Sequence, residues 1–178
     1  MVESSPYIRR VAATDRRKQD LVEPFRFELV DASERVHGLD LGHITIAAPT
    51  GEISSKGRKP DQAMMLFLSI SNLLDGVSRV ASAAKGATFR FCAVDSSFEI
   101  VFARKKGDEI GISCDRKSFG AAPARELVEA LWAGVVALCH ADSGRLDRHA
   151  DASSRAAFGD FDASVSDFSR TFNLPLPT

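Results

Sequence analysis

Cysteine is scarce and scattered in this chain. Cys92, Cys114 and Cys139 are the only three, and no two form a CxxC. An odd, widely spaced set excludes a disulfide ladder and the paired spacing of a zinc ribbon. Each sits within an apolar stretch, which fits a reduced, cytoplasmic protein. Tryptophan and tyrosine occur once each against twelve phenylalanines, so Phe is the expected bulky filler of the core. Neither sign of charge is in surplus: the net charge is −1. No basic footprint for nucleic acid follows from that balance. Long apolar runs are missing too. The longest, near residues 63–68, is far too short to span a bilayer, so no membrane role is expected. The polar, basic start has no apolar stretch of the kind that opens a secretory signal.

Signatures of chemistry are equally sparse. His37, His43, His140 and His149 form no HxxxH or HxH, and the adjacent Cys139 and His140 would diverge by about 100° on a helix. Neither a metal nor a cofactor is expected. The stretch Asp95-Ser96-Ser97 lacks the flanking glycines of a nucleophile elbow. Gly107-Asp108-Glu109-Ile110-Gly111 is no dinucleotide loop, and Lys56-Gly57-Arg58-Lys59-Pro60 is no Walker loop. The expectation is a protein without catalytic residues.

What is present is periodicity. Residues 1–23 are polar, with arginines offset by acids, and read as a weakly ordered arm. Residues 24–178 then suit one domain, long enough to bury about 70% of the unfolded surface. Phe25, Phe27 and Leu29 alternate with polar residues as in a half-buried strand. His37-Gly38 reads as a turn. Ile44, Ile46 and Ala48 mark a second strand that ends at Pro49-Thr50-Gly51, with a loop over 51–59. Pro60 and Asp61 suit a helix start. Leu66, Ile70, Leu73, Val77 and Val80 then recur at steps of four and three, up to a cap at Gly86.

Three short strands follow over residues 88–114. Phe89, Phe91 and Ala93 share one face. Phe98, Ile100 and Phe102 share another, and Ile110, Ile112 and Cys114 complete the run. The turns at 95–97 and 105–108 are short enough to require antiparallel neighbours. A helix over 123–140 carries Leu127, Leu131, Val135 and Leu138. Its mid-helix Gly134 implies a close contact with the sheet. Phe158, Phe161, Val165, Phe168 and Phe172 predict a third helix that starts between Ser153 and Asp162. The order β-β-α-β-β-β-α-α implies an α+β fold. Its antiparallel sheet would have about five strands, with helices on one face and the other face wet.

The run from Met64-Met65-Leu66-Phe67-Leu68-Ser69-Ile70 through Leu73-Leu74-Asp75-Gly76 is followed by Asp95-Ser96-Ser97-Phe98 before a strand, and then by a further strand and helix. This pattern, over roughly residues 40–140, resembles small cytoplasmic immunity proteins of bacterial polymorphic or contact-dependent toxin systems. The resemblance implies a chain that blocks a cognate protein toxin by surface complementarity and does no chemistry. Its contact residues are not transferable. The alternatives are a regulatory or scaffold interaction domain, an unrecognised small-ligand-binding protein, or an enzyme. Polar residues on the open sheet and its turns are the candidate contacts: Asp95, Ser96, Glu99, Lys105 and Lys106. From residue 141 onward six acids face four arginines, which adds Asp160, Asp162 and Asp167 as an acidic rim. The open sheet face or the Phe stripe of the last helix could also pair two copies of the chain.

Overall fold

The computed structural model describes residues 25–31 and 35–177; the polar arm expected over residues 1–23 lies outside the described residues. The elements are β1 (Arg26–Leu29), β2 (Leu41–Ala48), β3 (Gly51–Ser54), β4 (Met64–Met65), α1 (Leu66–Ser82), β5 (Thr88–Cys92), β6 (Glu99–Arg104), β7 (Glu109–Cys114), β8 (Lys117–Pro123), α2 (Ala124–Asp142) and α3 (Ala152–Phe172). The fold is α+β and its sheets are antiparallel, as expected. The strands form two four-stranded sheets in place of one sheet of about five. In the first, β2 is flanked by β1 on one side and by β3 and β4 on the other. The second is a meander in chain order, β5-β6-β7-β8.

Three strands escape the periodicity. β3 has one buried apolar residue, Ile53, so alternation cannot reveal it. β8 reads Lys-Ser-Phe-Gly-Ala-Ala-Pro, a weak strand sequence whose Gly120 takes a φ of +93°. β4 is two residues long, and it moves the start of α1. Met64 and Met65 pair with Gly42 and Leu41 of β2, so the helix begins at Leu66 and not at Pro60. α2 and α3 lie where the spacing puts them, except that α3 starts one residue early, after its Asp151 cap.

α1 is the centre of the core. Leu66, Ile70, Leu73, Val77 and Val80 are all buried. The Phe67 ring meets Phe158 and Phe161 of α3 edge-on, at 4.9 and 5.4 Å between centroids. Trp132 of α2 stacks on Phe168 of α3 at 5.9 Å. One continuous cluster of buried residues joins both sheets to all three helices.

Two glycines mark the tightest approaches. A Cβ on Gly76 of α1 would lie 2.0 Å from the Phe89 ring. One on Gly134 of α2 would lie 2.3 Å from the carbonyl oxygen of Phe25, whose N–H donates to Ala130. Mid-helix Gly134 therefore has a close backbone contact, as its position implied, though with Phe25 just before β1 and not with the sheet itself. Alanine is the better helix former by about 1 kcal/mol, but backbone cannot yield as a side chain can. Gly134→Ala is expected to destabilise the protein by about 1–3 kcal/mol in urea unfolding.

The α3 cap sets a pH dependence. The Asp151 carboxylate accepts the Ser154 N–H at 2.8 Å, and this bond, with the Ser154 hydroxyl, holds its pKa below the usual aspartate value. A depressed carboxyl stabilises the fold above its unfolded pKa, and the gain is lost as pH falls through the folded value. Asp151→Asn keeps an acceptor but no titrating group. Melting curves of this variant should lose less stability on acidification below about pH 4 than those of the parent.

Candidate interaction surface

Alternation in the meander separates a dry face from a wet one. Phe91, Ile100, Phe102, Ile110 and Ile112 point into the core, where α1 and α2 pack. Arg90, Glu99, Val101, Ala103 and Ser113 point the other way and are exposed or half-buried. The register sets Arg90 beside Val101, Val101 beside Ser113 and Ser113 beside Ser118, so one row crosses all four strands. Gly111, on the same face, is covered by the aliphatic stem of Lys105.

The expected contact residues in the turns are accessible. Asp95 is exposed, with a φ of +59°. Ser96 is half-buried because its hydroxyl donates to the Gln62 carbonyl at 3.1 Å. The Gln62 amide in turn donates to the Ser97 hydroxyl at 3.0 Å. Lys105 and Lys106 are exposed at the second turn, where Asp108 pairs with Arg104.

A residue that the sequence did not single out braces this end of the sheet. Arg58 lies in the 55–63 excursion between β3 and β4. It donates to the Ser54 carbonyl at 2.7 Å, to Asp115 at 2.6 Å and to the Cys114 sulfur at 3.3 Å. Its guanidinium lies 4.9 Å from the centre of the Phe98 ring. One side chain thus links the excursion, the β7–β8 turn and the start of β6. No periodic signal marks such a residue, since all of its partners but Ser54 are 40 to 57 positions away. Above it, Arg90, Ser97, Glu99, Ser113, Asp115 and Arg116 line a cleft of about 360 Å³. Arg90 pairs with Glu99 at 2.8 Å.

The acidic rim divides. Asp160 and Asp167 are seven residues apart, two helical turns, and share one face of α3. With Asp75 of α1 they line a groove of about 510 Å³. Asp162 lies on another side of the helix and pairs with Arg148. The structure therefore brings Asp160 and Asp167 together and sets both apart from the Glu99 face.

Burial pushes the Cys92, Cys114 and Cys139 thiols above the usual cysteine value, and Glu99 adds to the effect at Cys92. Ser55, His43 and Asp61 form a chain that looks catalytic, with Ser55 Oγ 3.2 Å from His43 Nδ1 and Asp61 4.0 Å from Nε2. Ser55 is fully buried, however, and its hydroxyl accepts the Ile44 N–H at 3.0 Å. It caps the backbone where the β2–β3 ladder ends. Ser55→Ala leaves that N–H buried and unpaired, and should cost about 1–3 kcal/mol in denaturant unfolding.

Among the described residues no group of three or more His, Cys, Asp or Glu side chains could hold a metal ion, and no helix is long and apolar enough to cross a membrane. No family model matches the chain, and no curated protein or solved structure matches it either.

Proposed function

We propose that this chain is a non-catalytic protein-binding module, an immunity protein that neutralises a bacterial toxin by covering its active site. The observation that carries this reading is the outer face of the β5–β8 sheet. Its outer row is left uncovered by the helices, and Asp95, Lys105 and Lys106 in its first two turns are exposed. Arg58 and Gln62 hold one end of this face in place, which lowers the ordering cost of docking. Both charge signs lie close together on it, in Arg90, Glu99, Lys105 and Glu109, and such a pattern favours one complementary partner over others. The resemblance of roughly residues 40–140 to toxin-system immunity proteins points the same way.

The test uses the product of the gene beside this one, which the proposal requires to be a toxin. The chain should bind that product in a pull-down and protect cells that express it. Val101→Arg, in the middle of the outer row, should weaken binding by about a hundredfold, or roughly 2.7 kcal/mol. Glu99→Lys and Lys106→Glu should each weaken it by about tenfold. All three should leave the melting temperature nearly unchanged, because these side chains lie outside the core. A chain that neither binds the toxin nor protects the cell would overturn the proposal.

A further inference from the structure

Two guanidinium groups, Arg90 and Arg116, line the cleft with two carboxylates, Glu99 and Asp115, and Arg58 reaches Asp115 from outside that lining, from the 55–63 excursion. Asp115 is taken by Arg58 and Glu99 by Arg90, at 2.6 and 2.8 Å. Arg116 has no ion pair among the described residues, and the Ser113 hydroxyl beside it has no hydrogen bond. The cleft thus offers one unmatched positive charge and a free hydroxyl.

The backbone points to the same residue. Asp115 and Arg116 form the β7–β8 turn with φ values of +50° and +64°. A two-residue hairpin with both central residues at positive φ favours glycine at the second. Arginine there holds a strained conformation that its own contacts within the protein do not repay.

We propose that this cleft is a carboxylate-binding site that receives an aspartate or glutamate side chain of the protein docked on the outer sheet face. Arg116 supplies the charge, and Ser113 and Arg90 supply further donors. This deepens the docking reading above and rests on it for the source of the carboxylate. One unmatched guanidinium suits a monoanion, since the second charge of a phosphate dianion would have only Glu99 and Asp115 left beside it.

An amide-resolved NMR titration of the full chain with N-acetylglutamate N-methylamide tests the site without the partner. Shifts should concentrate at Ser97, Ser113 and Arg116, and the neutral glutamine analogue should not produce them. Arg116→Gly should raise the melting temperature and abolish the shifts. Equal shifts from both analogues, or shifts that survive Arg116→Gly, would overturn the site. Larger shifts with inorganic phosphate would overturn the carboxylate assignment. In the toxin pull-down, Arg116→Gly should weaken binding by about tenfold. If Val101→Arg abolishes binding and Arg116→Gly does not change it, the docking face stands and the carboxylate pocket falls. If neither variant matters, the docking reading itself falls.

Discussion

The apolar stripe of α1 is what the rest of the structure is built around. Two backbone hydrogen bonds at its start fix it to both sheets at once. Met65 N–H donates to Val94, just after β5, and Leu66 N–H donates to Asp40, just before β2, each at 3.0 Å. The helix then buries the stripe Leu66, Ile70, Leu73, Val77 and Val80 between the sheets and α3. Burying each large side chain is worth about 1.5–3 kcal/mol, so the stripe outweighs any single polar contact in the molecule. Where α1 passes closest to its neighbours, Gly76 leaves room for the Phe89 ring.

That packing decides which surfaces remain. Because α1 and α2 both take the inner side of the meander, its polar side is left to solvent. The first sheet ends differently. Its β2–β3 hairpin reaches β8, where Thr50 N–H donates to Phe119, so the two sheets meet along one edge. The excursion between β3 and β4 then carries Arg58 and Gln62 under the turns of the second sheet. Candidate contact residues and core residues are in this way neighbours in sequence but lie on opposite sides of one layer.

Much of this could be read from residue order. The alternation of Phe98, Ile100 and Phe102 against Glu99, Val101 and Ala103 assigns both the strand and its wet face. The steps from Phe158 to Phe172 assign α3, and Gly134 foretells its contact with Phe25. Short strands were harder, because β4 owes its existence to pairing with Leu41 and Gly42 rather than to any pattern of its own. The candidate surface was legible as a face but not as a site. Glu99 and the turn residues follow from alternation, whereas Arg58, Arg90 and Arg116 converge only through pairings between distant segments. The acidic rim was half legible: a spacing of seven puts Asp160 and Asp167 on one face and leaves Asp162 off it.

The meander also bears on how the chain acquires its shape. Within its sheet, each strand of residues 88–123 pairs only with its neighbours in sequence, through three hairpins that can close in microseconds. The parallel bridge between Val36 and Leu146, more than a hundred residues apart, must wait for α1 and α2 to dock. Local pairing lets the meander form before that long-range bridge. The candidate docking surface lies on this locally paired part of the chain.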